Sequence, residues 1–175
     1  MRSLLIKLSQ LDQRIFKWVN GRLHHRVLSV LLYYLTHLGG ATFTITATVL
    51  ASWLAPAPWN SAALHSLVAL AVSHVPVAVV KKLYPRVRPH LALPETNTFR
   101  NPLVDHSFPS GHTTAIFSVT VPIMLLIPWS TAILLPIALI VGTSRMYLGL
   151  HYPSDVLAGG VIGSLTAWLT VALWP

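Results

Sequence analysis

Residues 106–127 read HSFPSGHTTAIFSVTVPIMLLI, a polar, glycine-containing segment that passes directly into an apolar run. The same contrast extends over the whole chain, which is 54% hydrophobic and only 9% charged, with a mean hydropathy of +0.64. Soluble domains contain about 25% charged residues, so this chain has too few polar side chains to cover a surface exposed to water. We therefore predict an all-α, polytopic membrane protein with a single membrane-embedded domain over residues 1–175.

The apolar residues of the chain fall into six stretches. These stretches lie at residues 27–38, 41–55, 61–80, 111–127, 130–148 and 154–173. The first two are short for a membrane span of about 20 residues, and Gly39 and Gly40 separate them. We predict a hairpin at this point and six transmembrane helices in total.

The N-terminal residues 1–22 show a different pattern, in which the apolar positions fall on one helical face and Lys7, Arg14 and Lys17 lie elsewhere. This pattern favours an amphipathic helix at the membrane interface. A cleavable signal would need an unbroken apolar core and a small-residue cleavage site, and neither is present. A short core helix is the alternative interpretation.

Three polar segments interrupt the apolar stretches, at residues 81–89, 109–112 and 144–155. The first follows the third predicted span, the second opens the fourth, and the third joins the fifth to the sixth. Because successive spans alternate in direction, we expect all three polar segments on the same face of the membrane. The long connection 82–109 then lies next to them.

The net charge of +8 does not indicate nucleic-acid binding, because the basic residues do not form a soluble face. Six of the twelve Lys and Arg residues lie within the first 26 positions. With six spans, this basic N-terminus lies on the face opposite the polar segments. The tendency of basic loops to stay inside then predicts that the polar segments face away from the cytoplasm, and we expect the membrane to be a bacterial-type plasma (inner) membrane.

The first polar segment supplies Lys81 and Arg88, which suit a phosphate group. Arginine donates two hydrogen bonds from a planar fork, and lysine acts as a compact point charge. For Lys82 and Arg86 we favour the simpler interpretation, in which long basic side chains reach toward lipid head groups at a helix end.

The second polar segment indicates the start of a helix. Ser110 is a good N-cap, and Gly111 lets another group approach the backbone closely. The free N–H groups of a helix N-terminus favour an anion. His112 in the first turn could donate a proton to a leaving oxygen, although a capped helix start with an interfacial histidine explains this segment alone equally well.

The third polar segment contains Arg145, His151 and Asp155. The last two have the spacing that places both side chains on one helical face. A carboxylate beside one ring nitrogen of a histidine fixes its tautomer and leaves the other nitrogen free to attack. Alone, these two residues could equally be a capping aspartate near an interfacial histidine.

Considered together, the three segments favour phosphoryl transfer, because three cations converge with an anion-binding helix end and two histidines. The chain has four acidic residues, at Asp12, Glu95, Asp105 and Asp155. A metal-dependent phosphatase would need several clustered carboxylates, so we predict no metal and no cofactor. The absence of cysteine excludes thiol chemistry.

At this level of detail the three polar segments resemble the signature of the type 2 phosphatidic acid phosphatase superfamily: Lys81-x6-Arg88-Pro89, then Pro109-Ser110-Gly111-His112, then Ser144-Arg145-x5-His151-x3-Asp155. The resemblance implies a membrane lipid phosphatase that works through a phosphohistidine. It implies that His151 attacks phosphorus, that Asp155 holds His151, and that His112 protonates the leaving oxygen. The phosphoryl oxygens would be bound by Lys81, Arg88, Arg145, Ser110 and Gly111.

Undecaprenyl diphosphate is the substrate that we expect first, with phosphatidylglycerophosphate, phosphatidic acid and lipid A as alternatives. The expected partners are the lipid substrate and membrane lipids, with no nucleic acid and no obligate protein partner. A lipid-phosphate binding or transport protein is the non-enzymatic alternative, and it would not need both His112 and His151.

A soluble vanadate-dependent haloperoxidase shares the signature, but the six apolar stretches argue against it. For the polar residues of the long connection we favour solvation, except that Asp105 and His106 lie close to the site, and we assign no role to His74.

Overall fold

The computed structural model describes residues 2–100, 102 and 104–174, and these residues form helices and connections without a strand. The α-helices are α1 (Arg2–Lys17), α2 (Arg26–Leu35), α3 (Ala41–Leu54), α4 (Trp59–Leu83), α5 (Pro89–Ala92), α6 (Gly111–Leu126), α7 (Thr131–Tyr147) and α8 (Pro153–Leu173). A short π-helical turn, Trp18–Arg22, follows α1, and 3-10 turns at Thr36–Gly39 and Pro128–Ser130 precede α3 and α7.

Three helical units are long and apolar enough to cross a membrane, namely α4, α8 and α7 together with the 3-10 turn before it. The pair Arg26–Gly39 and Ala41–Leu54 meets the same criteria only when it is counted as one unit. Helix α6 is apolar but has only 16 residues. The prediction of an all-α membrane protein is therefore confirmed, with three or four candidate spans among the described residues.

The predicted hairpin between the first two apolar stretches is wrong, because the two helices meet at a bend of 51° and the chain does not reverse. The bend falls at Gly40, whose backbone is extended. At Gly39 an added Cβ atom would lie 2.7 Å from the backbone oxygen of His112. The glycine pair thus breaks the helix and brings this break directly against the start of α6.

Helix α6 lies at the centre of the bundle, in contact with α4, α7 and α8. Buried hydroxyl groups link it to α4. Ser118 Oγ donates to Ser73 Oγ at 2.9 Å, and Ser66 Oγ donates to the carbonyl oxygen of Val119 at 2.8 Å. Polar bonds of this kind fix the register of packed membrane helices, and here they set the C-terminal end of α4 beside the N-terminal end of α6.

The basic N-terminal helix lies at the same end of the bundle as the three polar segments. Asp12 of α1 accepts a hydrogen bond from the backbone N–H of Ser154 at 2.8 Å and forms an ion pair with Arg86 at 2.7 Å. Our prediction that the N-terminus lies on the opposite face is therefore wrong. A bend of 51° between α2 and α3 stands in place of the chain reversal on which that prediction rested.

The two ends of the bundle differ strongly in charge. All twelve Lys and Arg residues of the sequence lie in α1 or at the end that carries the polar segments, which we call the site end. The connections at the opposite end, residues 55–58 and 127–130, contain no charged residue. Trp59 and Trp129 meet there with ring centroids 5.6 Å apart, as expected for aromatic side chains at a membrane interface.

Candidate active site

Backbone hydrogen bonds join the three polar segments at the site end. The N–H of Ser110 donates to the carbonyl oxygen of Asp155 at 3.0 Å, and the N–H of Ser107 donates to that of Arg86 at 2.9 Å. The connection after α7 folds back, so that the N–H of His151 donates to the carbonyl oxygen of Arg145 at 3.1 Å. The segments were predicted to share one membrane face, and in the fold they form one contiguous cluster.

His151 lies in the short connection between α7 and α8, and it is 1% exposed. Its Nδ1 atom lies 3.6 Å from Oδ2 of the fully buried Asp155, too far for a hydrogen bond, and has no other partner among the described residues. On the other side of the ring, Nε2 lies 3.0 Å from Nη1 of Arg88. A proton on Nδ1, toward the carboxylate, leaves the Nε2 lone pair directed at the cations.

The imidazole of His151 is neutral at physiological pH. Burial, together with the neighbouring Arg145 and Arg88, lowers the pKa of His151 to about 4, although the carboxylate of Asp155 opposes this shift. A neutral imidazole with a free ring nitrogen is the form that can act as a nucleophile.

Arg88 and Lys81 are held together by Asp105. The Nη2 atom of the buried Arg88 lies 2.6 Å from one carboxylate oxygen of Asp105, and Nζ of Lys81 lies 2.8 Å from the other. Burial alone would raise the pKa of the Asp105 carboxyl, but the hydrogen bonds from Lys81 and Arg88 lower it to about 2. The expectation that Asp105 lies close to the site is met, since its anion bridges two predicted phosphate-binding residues.

Arg145 enters the cluster from the end of α7. Its side chain is 2% exposed, and its Nη1 donates to Thr36 Oγ1 at 2.9 Å. Within the described part of the chain its Nε atom has no acceptor. An unpartnered donor on a buried cation carries a large desolvation cost, which an anion bound in the cluster would offset.

The start of α6 has the geometry predicted for it. The backbone N–H of Thr113 donates to Ser110 Oγ at 3.4 Å, which makes Ser110 the N-cap. An added Cβ atom at Gly111 would meet none of the described atoms within 4 Å. A ligand can therefore approach the backbone at the N-terminus of α6, where free N–H groups favour an anion.

A cleft of about 460 Å³ opens beside His112, between α3, α4 and α6. Apart from Thr44, His74, His112 and glycine backbone, its walls are apolar, formed by Ala41, Ile45, Leu67, Leu70, Ala71 and Ala115. His74 is turned partly to its own helix, where Nδ1 lies 2.8 Å from the carbonyl oxygen of Leu70. The cleft therefore places apolar walls directly beside His112 and Gly111.

The sequence analysis missed the roles of two residues in this region, Asp12 and Arg86. Arg86 does not reach toward lipid, because it forms ion pairs with both Asp12 and Asp155, and our interpretation of Arg86 as a membrane-surface residue is wrong. Spacing gave no sign of this. The small number of acidic residues is a signal that could have indicated these ion pairs, because three of the four acidic side chains pair with cations at the site end. No group of three or more His, Asp or Glu residues in the described ranges could hold a metal ion.

The sequence matches the model of the PAP2 superfamily over residues 62–175. The chain therefore belongs to the PAP2 superfamily, as the resemblance implied.

Curated relatives and solved structures agree with this assignment. Bacitracin transport permease protein BcrC from Bacillus licheniformis is 28% identical over 162 residues, which cover 91% of this chain and 78% of that protein. Undecaprenyl-diphosphatase BcrC from Bacillus subtilis is 27% identical over 167 residues, covering 91% and 82%.

The crystal structure of Aquifex aeolicus LpxE is similar with a TM-score of 0.82 and 25% identity, covering 93% of this chain and 95% of that one. A transmembrane PAP2-type phosphatidylglycerolphosphate phosphatase from Bacillus subtilis has a TM-score of 0.78 and 25% identity, covering 95% and 86%. The prediction of a membrane lipid phosphatase, a hydrolase, is confirmed.

Proposed function

We propose that this protein hydrolyses undecaprenyl diphosphate through a phosphohistidine on His151. The observation that carries the proposal is the buried His151, with one ring nitrogen 3.0 Å from Arg88 and the other facing Asp155. In such a pair the carboxylate stabilises the positive charge that the ring acquires when it attacks. The cost of burying Arg88 and Arg145 is offset when a phosphate binds between them.

The proposed reaction has two steps. The lone pair of His151 Nε2 forms a bond to phosphorus while the bond to the leaving oxygen breaks, and His112 gives that oxygen a proton. Water then attacks the phosphohistidine, His112 takes a proton from it, and inorganic phosphate leaves His151 neutral again. The charge on the transferred group is stabilised by Lys81, Arg88 and Arg145, and by the backbone at Ser110 and Gly111.

The choice of substrate is supported by the relatives and by the cleft beside His112. Two relatives that cover most of the chain are BcrC proteins, and one of them is named an undecaprenyl-diphosphatase. The apolar cleft suits the hydrocarbon chain of the leaving group. Lipid A is the second candidate, favoured by the similarity to two lipid A 1-phosphatases from Rhizobium.

In the membrane, we propose five spans: the bent pair, α4, α6, α7 and α8. The proposal of five spans rather than six is supported by the bend of 51° at the position where six spans would need a hairpin. Helix α1 then lies along the interface, because its exposed face carries apolar residues such as Leu8, Leu11 and Ile15 next to basic side chains.

The function is tested by phosphate release from purified protein in detergent. We expect turnover of undecaprenyl diphosphate in the presence of a chelator, and slower turnover of phosphatidylglycerophosphate, phosphatidic acid and lipid A. Turnover that appears only after a divalent cation is added would contradict the metal-independent mechanism. Lipid binding without phosphate release from any of these lipids would instead favour the binding or transport protein.

We further propose that the site end faces away from the cytoplasm. On that side it would meet envelope lipids of the kind that the names of the relatives mention. Charge favours the reverse orientation, since all twelve Lys and Arg lie toward this end. Because the chain has no cysteine, single cysteines report the orientation cleanly. We expect an impermeant maleimide to label Glu95→Cys in intact cells, and to label Ala57→Cys only after permeabilisation. The opposite labelling pattern would overturn this orientation.

A further inference from the structure

We infer that Asp12 and Arg86 are positioning residues for Asp155, so that the N-terminal helix α1 is part of the catalytic unit. The inference rests on the proposed function. Neither residue belongs to the three-part signature, and Asp12 lies 143 positions before Asp155 in the sequence.

Arg86 holds one oxygen of the Asp155 carboxylate. Its Nη1 lies 2.7 Å from Oδ1 of Asp155 and 2.7 Å from Oγ of Ser154. Its guanidinium carbon lies 3.9 Å from the centroid of the Tyr152 ring. The planar guanidinium is thus fixed on two sides, which gives the carboxylate a single orientation.

The other oxygen of Asp155 is the one that serves His151. Oδ2 accepts a hydrogen bond from the backbone N–H of Tyr152 at 2.8 Å and faces His151 Nδ1 at 3.6 Å. Arg86 therefore determines which oxygen is left for the histidine. Without it, Oδ1 of a fully buried carboxylate would lose its charged partner, and the carboxylate would lose its fixed orientation.

Asp12 in turn holds Arg86 and the start of α8. Its Oδ2 accepts from Nη2 of Arg86 at 2.7 Å and from Oγ of Ser154 at 2.6 Å. Its Oδ1 accepts from the backbone N–H of Ser154, in the first turn of α8, at 2.8 Å. Four residues further along α1, the ring of Phe16 packs against Tyr152 with centroids 5.6 Å apart.

These contacts form a chain from α1 to the ring of His151. It runs from Asp12 to Arg86, then to Asp155, and ends at His151. Burial alone would lower the pKa of Arg86, but Asp155 and Asp12 raise it, so the link stays charged. A helix that contributes only membrane attachment would not need a buried carboxylate directed at this arginine.

The test compares Arg86→Ala, Arg86→Lys and Asp12→Asn with wild type on the same lipid substrate. We expect kcat/KM to fall about 10- to 100-fold in Arg86→Ala, the range found when a group that orients a catalytic ligand is removed. Arg86→Lys keeps the charge but cannot bridge two carboxylates in a plane, so its loss is similar. The matched controls are Lys82→Ala and Arg14→Ala, two exposed basic residues on α4 and α1 that should leave activity unchanged.

The pH profile separates positioning from a purely structural role. Asp155, Arg88, Arg145 and His112 are the charged or titratable groups around His151. Removing the Arg86 cation leaves more of the Asp155 charge to stabilise protonated His151, which raises the pKa of His151. The acidic limb of kcat/KM should therefore move to higher pH in Arg86→Ala, and added guanidinium ion should restore part of the activity.

The possible outcomes are distinct. If wild type releases no phosphate from any lipid, the proposed function fails. If wild type is active and both Arg86→Ala and Asp12→Asn match it in kcat/KM and in the acidic limb, the positioning role is overturned. If Arg86→Ala does not fold, Asp12→Asn decides the question, because it preserves side-chain volume while it removes the charge and one of the acceptor oxygens that hold Arg86 and Ser154.

Discussion

Replacement of His151 by alanine is expected to abolish phosphate release, with a fall in kcat/KM of about 10⁴-fold or more. The reason is that Nε2 of the buried His151 lies 3.0 Å from Arg88 and would be the atom that bonds to phosphorus. Lipid binding should survive, because the substitution leaves Arg88, Arg145 and the cleft beside His112 intact. Turnover and lipid binding are to be measured on the same preparation.

Two further measurements make the His151 prediction specific. After rapid denaturation during turnover, wild type should carry one acid-labile phosphoryl group on the peptide that contains His151, seen by mass spectrometry. His106→Ala is the matched control, because its exposed side chain lies in the connection beside the site and makes none of the contacts described above. Full activity in His151→Ala would end the assignment of the nucleophile.

Replacement of His112 by glutamine is expected to slow hydrolysis of a lipid phosphomonoester by about 10³-fold, within the range for loss of a general acid. The loss should depend on the leaving group. An alkoxide needs a proton, whereas the nitrophenolate released from p-nitrophenyl phosphate does not, so that substrate should lose much less activity. The measurement is kcat/KM on phosphatidic acid and on p-nitrophenyl phosphate for the same variant.

The control for His112 is His74→Gln, since His74 lines the same cleft but lies deeper in α4. We expect this variant to change KM for lipids more than kcat. An equal loss on both substrates in His112→Gln would contradict the role of proton donor, and would instead indicate that His112 acts in binding the phosphate.

Much of the site could be predicted from the sequence because its parts are local. Ser110 is the N-cap of α6 because the rules for a helix start depend on a few adjacent residues. His151 and Asp155 are near each other because only four positions separate them. Alternation of spans then brings the polar segments together, and this argument holds whatever the N-terminal part of the chain does.

The features that could not be predicted depend on contacts between distant residues. A glycine pair between two apolar stretches is equally compatible with a tight hairpin and with a 51° bend, and only the contact of Gly39 with α6 decides between them. With a bend instead of a hairpin, the N-terminus lies at the site end and not at the opposite end that we predicted. The partnership of Asp12 and Arg86 follows from this placement, so it could not be seen before the bend was known.

The bridge that Asp105 makes between Lys81 and Arg88 sets a threshold for anything that competes for those cations. With a pKa of about 2, the carboxylate of Asp105 is ionised at physiological pH. A ligand displaces this carboxylate only if it binds Lys81 and Arg88 more strongly than a single negative charge does. A fatty acid carries one negative charge and gains no advantage over Asp105, whereas a doubly charged phosphoryl group does. The connection 82–109 therefore disfavours the binding of fatty acids at this site.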